Sequence, residues 1–121
     1  MASSSSSPPS IAVKPVADAE QLRASGTPYL DVRTPGEFAA GHPPGAINVD
    51  WLGSVGPEDF VAKVKQVLPD AKSIVVGCKS GRRSASACSA LAASGYAAGG
   101  SLVDVEGGFD AWSAAGLPVE K

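Results

Sequence analysis

The sequence holds few residues of the kinds that build metal centres and hydrolytic triads. It has two cysteines, Cys78 and Cys88, and one histidine, His42, in 121 residues. Three such ligands are too few for a structural zinc site of four Cys or His side chains, so no metal site is predicted. Any Ser-His-Asp triad would have to use His42. A secreted disulfide scaffold would need more cysteines, so the two thiols predict an intracellular, reducing environment.

The sequence also lacks an excess of positive charge and a long unbroken apolar run. Its formal net charge is −2, and no basic stripe runs along it, so nucleic acid is not an expected partner. Residues 84–103 carry no charge, but five serines and three glycines interrupt them, so a membrane span is not expected either. The length and a hydrophobic content of 44% predict one compact domain.

The start of the chain differs in composition from the rest. Residues 1–12 are rich in Ser and Pro, which predicts a disordered tail, and residues 13–121 are predicted to form the single domain. The tail is free of acidic residues and resembles the start of a plastid transit peptide. The cytoplasm and the plastid stroma therefore both stay open as the compartment.

Short apolar runs alternate with helical patterns along the predicted domain. Strands are predicted at 29–32, 46–49, 73–77 and 102–105, and helices at 17–25, 35–40, 57–68, 84–94 and 109–115. A strand–helix unit repeated about five times predicts an α/β fold, with a central parallel sheet of about five strands and helices on both faces. Such sheets carry their functional sites at the carboxyl ends of the strands.

A cationic segment follows the predicted strand at 73–77. Residues 78–84 include Lys79, Arg82 and Arg83 and no acid, a local charge of +3, and leave seven basic against twelve acidic residues elsewhere, or −5. A cationic region on an anionic protein concentrates small anions. Cys78, at the strand end, would face the unpaired amides that begin the next helix, and Gly81 can adopt the positive φ that turns loop N–H groups inward.

These features predict that Cys78 is a reactive thiol with a depressed pKa. Lowering a thiol pKa from about 8.5 to about 6.5 takes roughly 2.7 kcal/mol, whereas a helix terminus supplies about 0.3–1 kcal/mol and at best about 2. Hydrogen bonds from loop amides and the arginines would have to supply the rest. The alternative is that Cys78 is a small buried residue beside solvated charges.

The pattern Cys-x-x-Gly-x-Arg-Ser at 78–84 resembles the active-site loop of single-domain rhodanese sulfurtransferases. The resemblance covers about residues 13–119, is closest to small plant and bacterial members, and implies the rhodanese-like fold. Further similar stretches are Tyr29–Phe38, Gly41–His42, Gly45–Val49, Glu106–Trp112 and Gly116–Pro118.

The resemblance implies a double-displacement reaction without a cofactor. Cys78 would take the sulfane sulfur of a small anionic donor such as thiosulfate, release sulfite, and pass the sulfur from a persulfide to cyanide, a thiol or a protein thiol partner. The resemblance assigns the binding loop to Lys79, Ser80, Gly81, Arg82, Arg83 and Ser84. Within it, Arg83 and the amides would hold the persulfide and the donor, and Lys79 and Arg82 would steer anions. Thiosulfate-preferring members often have a basic residue where this chain has Ser80, so the donor stays open.

Two other functions stay open for the same fold. Related phosphatases and arsenate reductases of the dual-specificity type have one more residue in the loop than the six from Cys78 to Arg83. That residue adds up to about 3.3–3.6 Å of chain and widens the amide ring towards a tetrahedral oxyanion. The shorter loop favours sulfur, but some small plant relatives with six-residue loops are arsenate reductases. The alternatives are therefore a thiol-dependent arsenate reductase and a non-catalytic sulfur-carrier or partner-binding module.

Three residues outside the loop are candidates for bracing it. Asp31 and Arg33 end a strand that is expected beside the active strand, where an ion pair or a loop brace is favoured over substrate contact. His42 invites a general-base role, but a preformed thiolate needs no base, so a structural hydrogen bond to the loop backbone is favoured. Glu37 is explained by a capping box with Thr34.

The second cysteine and the two tryptophans have structural interpretations. Cys88 lies on an apolar helix face, so core packing is favoured over a disulfide with Cys78. Trp112 is predicted to be core, and Trp51, in a Gly-rich loop, is predicted to line the pocket entrance.

Overall fold

The computed structural model describes residues 7–121, so residues 1–6 of the predicted tail lie outside the described part of the chain. Strands and helices alternate along it, as predicted. They are β1 (Ser10–Lys14), α1 (Val16–Ala24), β2 (Tyr29–Asp31), α2 (Pro35–Ala40), β3 (Ile47–Asn48), α3 (Gly56–Val67), β4 (Ser73–Gly77), α4 (Arg82–Ala93), β5 (Ser101–Val105) and α5 (Gly108–Ala114). None of these helices combines the length and apolar character needed to cross a membrane.

The five strands form one sheet in the order β1-β5-β4-β2-β3, with every pairing parallel. The predicted α/β class and parallel sheet are therefore confirmed. β4 is the central strand, and its last four residues are buried, because helices cover both sides of it. Its carboxyl end consequently lies between the ends of β2 and β5.

Two hydrophobic cores lie on the two faces of the sheet. On one face, Phe60 and Val64 of α3 and Leu91 of α4 are fully buried. On the other, Ala19 of α1 and Trp112 of α5 are fully buried. The prediction of helices on both faces is therefore confirmed, and so is the prediction that Trp112 is core.

The first strand, β1, begins before the predicted boundary between tail and domain at residue 12. Ser10, Ile11 and Ala12 belong to β1, where they pair with the first three residues of β5. β1 is an edge strand, and its apolar residues Ile11 and Val13 are 45% and 63% exposed. A strand whose apolar side chains stay in solvent gives little pattern in the sequence, because the hydrogen bonds to β5 hold it in place.

The capping box predicted at the start of α2 is present. The Thr34 side chain accepts a hydrogen bond from the Glu37 amide, and the Glu37 carboxylate accepts one from the Thr34 amide at 2.9 Å. Pro35 occupies the first turn, where its missing N–H costs nothing. This short helix therefore begins where its sequence specifies, and it carries the Glu37 carboxylate towards the end of β4.

Candidate active site

The loop between β4 and α4 lies at the centre of the sheet's carboxyl edge. Cys78 directly follows β4, and Gly81 precedes α4 with φ 109° and ψ −8°. A residue with a Cβ rarely adopts this left-handed conformation, so Gly81 permits the turn that brings its own amide back over Cys78. The expectation that Gly81 takes a positive φ is confirmed.

The Cys78 thiol is enclosed by hydrogen-bonding groups of the loop and of α4. Its Sγ accepts the Gly81 N–H at 3.0 Å and lies 3.4 Å from Ser84 Oγ. Burial alone raises the pKa of Cys78, but hydrogen bonds from the Ser84 hydroxyl and from the amides of Ser84, Gly81 and Ser80 outweigh burial and hold the pKa below its ordinary value. The surroundings of the Cys78 sulfur therefore favour the negatively charged thiolate.

The outer side of the loop is held by the start of α5, a contact that sequence reasoning missed. The Phe109 amide donates to the Cys78 carbonyl at 2.7 Å, and the Asp110 amide donates to the Lys79 carbonyl at 3.0 Å. Gly108 lies so close that a Cβ there would meet the Cys78 carbonyl oxygen at 2.4 Å. With their carbonyls turned outward, the loop peptides can direct N–H groups at the sulfur.

Two of the three loop cations are paired with acids from other elements. Arg83 makes two hydrogen bonds to the Glu37 carboxylate, at 2.8 and 3.0 Å, and Lys79 Nζ lies 2.9 Å from Asp110. Within residues 7–121, Arg82 has no acid within 4.0 Å. The predicted +3 segment is therefore largely neutralised in the folded protein, and Arg82 is its unpaired cation.

Asp104, which sequence reasoning also missed, reaches the site from β5. It is 6% exposed, and its Oδ1 accepts the Ser84 hydroxyl at 2.5 Å. Burial, opposed by the hydrogen bond from Ser84, raises the pKa of Asp104. The signal that could have found it was a lone charged residue inside the apolar run of β5, since a buried carboxylate needs a partner.

Asp31 and Arg33 form a buried ion pair at the end of β2. Arg33 Nη2 lies 2.7 Å from Asp31 Oδ2 and donates to the Gly41 carbonyl at 2.7 Å. Its guanidinium lies 4.3 Å from the centroid of the Phe109 ring, and the Phe109 amide holds the Cys78 carbonyl. The pair therefore supports the loop indirectly, through Phe109.

His42 does not make the hydrogen bond to the loop backbone that was expected. Its Nδ1 lies 2.8 Å from the Phe38 carbonyl oxygen, its ring stacks on Phe38, and its Nε2 lies 3.5 Å from Glu120. These contacts join the end of α2 to the C-terminal segment. The physical reason is that Gly41 ends α2 and places His42 beside this helix, where the His42 ring stacks on Phe38.

Cys88 is fully buried in the core beneath α4. Burial first, and then the charges of Asp104 and Cys78, raise the pKa of Cys88 to about 12. Both cysteines are free thiols, as core packing of Cys88 requires. Its environment opposes ionisation, whereas that of Cys78 favours it.

Trp51 does not line the entrance to the Cys78 loop. It packs edge-on against Phe60 and lines a groove of about 890 Å³ together with residues of α3 and α4 such as Val61 and Ala90. No residue from 78 to 83 lines this groove. The predicted position of Trp51 is therefore wrong, because its ring packs against Phe60 in the core under α3.

Comparison with known proteins gives a consistent result across sequence and structure. The Rhodanese-like domain family matches residues 15–115. The chain is 39% identical over 125 residues to thiosulfate sulfurtransferase 16, chloroplastic, from Arabidopsis thaliana, and the match covers 99% of each protein. It is also 39% identical over 112 residues to rhodanese-like domain-containing protein 15, chloroplastic, from the same plant, covering 88% of the chain.

Relatives differ in how much of their length the chain spans. The match covers 60% of rhodanese-like domain-containing protein 15. Among solved structures, a rhodanese-related protein from Thermoplasma volcanium superposes with a TM-score of 0.69 at 28% identity, covering 90% of this chain and 97% of that one. The similarity in structure therefore extends over nine-tenths of this chain.

Proposed function

The chain belongs to the rhodanese-like domain family, and on that premise we propose that it is a sulfurtransferase in which Cys78 carries the transferred sulfur as a persulfide. The relative named thiosulfate sulfurtransferase 16 supports sulfurtransferase activity at the level of the family. The observation that carries the proposal for this chain is the Cys78 thiol, which accepts the Gly81 amide at 3.0 Å and has a pKa below its ordinary value.

The proposed reaction proceeds in two displacements at one sulfur atom. The Cys78 thiolate attacks the outer sulfur of thiosulfate, and the sulfur–sulfur bond of the donor breaks as sulfite leaves with the electron pair. Cyanide or a thiolate then attacks the terminal sulfur of the persulfide, and the Cys78 thiolate is regenerated as the leaving group. The same hydrogen-bond donors serve both steps, because each step needs a stable thiolate or a stable anionic persulfide.

The proposed roles of the loop cations follow from their pairing. Arg82 is the cation that meets an anionic donor most readily, because within the described residues it has no acid partner. Arg83 is held by Glu37, and Lys79 by Asp110, so both are assigned to shaping the loop first and to attracting anions second. Ser80 and Gly81 are assigned to the ring of amides around the sulfur, and Ser84 to the hydroxyl beside it.

The activity is tested by measuring sulfur transfer from thiosulfate to cyanide in the parent, Cys78→Ser and Cys88→Ala proteins. We expect Cys78→Ser to fall to the uncatalysed rate, because the serine hydroxyl is not a nucleophile at neutral pH. Cys88→Ala is the matched control, since it removes the other thiol from the core and leaves the loop intact. Parental turnover in Cys78→Ser contradicts the proposal, as does faster turnover of arsenate with glutathione than of thiosulfate with cyanide.

We also propose a plastid location. It is supported by the two plant relatives with 39% identity, both of which are named as chloroplastic. A fluorescent fusion of the full chain in plant cells tests it, and fluorescence outside plastids contradicts it.

A further inference from the structure

The Ser84 hydroxyl lies between two groups that can each hold a proton. Its Oγ is 3.4 Å from Cys78 Sγ and 2.5 Å from Asp104 Oδ1. The carbonyl oxygen of Gly81 lies 3.2 Å away as a third acceptor. Ser84 itself is fully buried, so bulk water does not reach its side chain.

One hydroxyl proton cannot serve both neighbours at once. A serine hydroxyl has a single proton to donate and two lone pairs that accept. When Asp104 is ionised, the hydroxyl proton is donated to its carboxylate, because a carboxylate is a stronger acceptor than a carbonyl or a sulfur. In that state Ser84 Oγ can only accept from Cys78, so the hydroxyl hydrogen bond that lowers the Cys78 pKa is not made. When Asp104 is protonated, its carboxyl donates to Ser84 Oγ, and the Ser84 hydroxyl is free to donate to a Cys78 thiolate.

We propose that Asp104 is a positioning residue that controls the ionisation of Cys78 through Ser84, with one proton shared between Cys78 and Asp104. In the transfer, the Cys78 S–H bond breaks as an O–H bond forms on Ser84, and the original Ser84 O–H bond breaks as one forms on Asp104. Negative charge moves from the carboxylate to the sulfur, and nothing is oxidised or reduced. A neutral carboxyl and a thiolate therefore occur together.

The surroundings of Asp104 suit a proton acceptor. Burial, the larger effect, raises the pKa of Asp104 and so brings it closer to the lowered pKa of Cys78. Its neighbours in the sheet are Val13 on β1 and Val76 on β4, which supply no charge. Within the described residues, its polar contact is the Ser84 hydroxyl.

The other titratable groups near this pair keep one charge state across the neutral range. Burial, followed by the charges of Asp104 and Cys78, raises the pKa of Cys88 to about 12, and burial first raises the pKa of Tyr29 as well, so both stay neutral. The hydrogen bonds that Arg83 donates to Glu37, and then the charges of Glu37 and Cys78, raise the pKa of Arg83, which stays cationic. A change in Cys78 reactivity near neutral pH is therefore attributable to Cys78 and Asp104.

The inference rests on Cys78 being the nucleophile, and its test needs no sulfur donor. The rate of Cys78 alkylation by iodoacetamide is measured on the full chain from about pH 5 to about pH 9, where thiolate fractions change. The parent is compared with Asp104→Asn, Ser84→Ala and Ser84→Thr, and mass spectrometry assigns the alkylated cysteine. Thermal unfolding of each variant shows whether it is folded under the assay conditions.

The parent profile is expected to rise in two steps, because two groups share the first proton lost. Asn at position 104 cannot take up a proton, and its amide donates to Ser84 as a neutral carboxyl does. Asp104→Asn should therefore rise in one step at lower pH, with about tenfold more thiolate near pH 6, or one pKa unit. Ser84→Ala should rise in one step, at higher pH than the first step of the parent, and Ser84→Thr should restore the two-step profile because it keeps the hydroxyl.

The proposal is overturned by an Asp104→Asn profile that coincides with the parental one or moves to higher pH. It is also overturned if Ser84→Thr behaves as Ser84→Ala does. If Ser84→Ala does not fold, Asp104→Asn and Ser84→Thr decide the question alone. Because alkylation is independent of sulfur transfer, this proposal can fail while the sulfurtransferase activity stands, and the reverse holds as well.

Discussion

Two thiols in this chain differ in chemistry because of what surrounds each sulfur. Burial raises the pKa of both, and at Cys88 nothing opposes it, so its pKa reaches about 12. At Cys78 the Ser84 hydroxyl and three amides outweigh burial and lower the pKa. The difference follows from position, since Cys78 lies before the first turn of α4, where amides are unpaired, and Cys88 lies inside the helix, where they are not.

Glu37 both caps α2 and neutralises Arg83, and a substitution can remove its charge while keeping the cap. Gln at this position keeps the capping box with Thr34 but no longer neutralises Arg83. We expect Glu37→Gln to lower the KM for thiosulfate several-fold, because Arg83 becomes available to the anion. Steady-state kinetics measure this, with Glu20→Gln as control, since Glu20 pairs with Arg23 on α1 at a similar exposure. An equal fall in KM in both variants contradicts the account.

The same substitution changes how stability depends on pH. Hydrogen bonds from Arg83, opposed by burial and assisted by Thr34, lower the pKa of Glu37 from 4.5 to about 2. Because the folded pKa is depressed, this stabilisation is present above pH 4.5 and is lost as the pH falls towards 2. It amounts to at most about 3 kcal/mol, and less after solvent screening of a partly exposed pair. Urea unfolding should show that the parent loses this stabilisation between pH 4.5 and 2 and that Glu37→Gln does not. An equal loss of stability in both proteins contradicts the assigned role of Glu37.

At the scale of elements, α5 acts on the site through its backbone. Its first amides hold the carbonyls of Cys78 and Lys79, and Gly108 allows the two backbones to meet. Arg33 adds a side-chain contact to the ring of Phe109. The loop between β4 and α4 is therefore held by a third element, which pairs with its outward-facing carbonyls.

Gly108→Ala is expected to displace the loop. Its Cβ would meet the Cys78 carbonyl oxygen at 2.4 Å, and its φ of +58° adds strain. Gly116→Ala is the matched control, because it has φ +71° with nothing within 4 Å of its Cβ. Both variants should lose about 1–2 kcal/mol of stability to backbone strain. In Gly108→Ala the alkylation rate of Cys78 should in addition fall at least about tenfold, which corresponds to a rise of about one unit in the pKa of Cys78.

Comparing these two variants separates the effect of backbone strain from the effect of the contact between residue 108 and the loop. Equal alkylation rates in the folded Gly108→Ala and Gly116→Ala proteins would contradict a role for Gly108 in holding the loop. Urea unfolding of both variants supplies the stability difference, and iodoacetamide labelling supplies the rate.

Elements that depend on local sequence could be predicted, and elements that depend on distant contacts could not. The start of α2 follows from Thr34, Pro35 and Glu37 alone. In contrast, α4 begins at Arg82, two residues before the predicted Ser84, because the loop closes on Cys78 at Gly81. The β1 residues before residue 13 gave no signal, since their side chains are largely exposed and their hydrogen bonds go to β5.

At the scale of the whole molecule, the fold rearranges the charge that the sequence displays. The three loop cations lie close together in sequence, but Glu37 and Asp110 lie 46 and 31 residues from the cations that they pair with. The parallel topology brings α2, α4 and α5 to the same edge of the sheet, which is why these acids meet the loop. Sequence reasoning located the thiol and its amides, and it could not locate acids that only the folded sheet brings near.

The central claim, that Cys78 carries sulfur, is tested most directly by the intact mass of the whole chain. After treatment with thiosulfate and removal of excess donor, the parent and Cys88→Ala proteins should each gain the mass of one sulfur atom, located on Cys78. Addition of cyanide should return the original mass with release of thiocyanate, because the persulfide is an intermediate. A parent protein that gains no sulfur, or a Cys78→Ser protein that gains as much, contradicts the account.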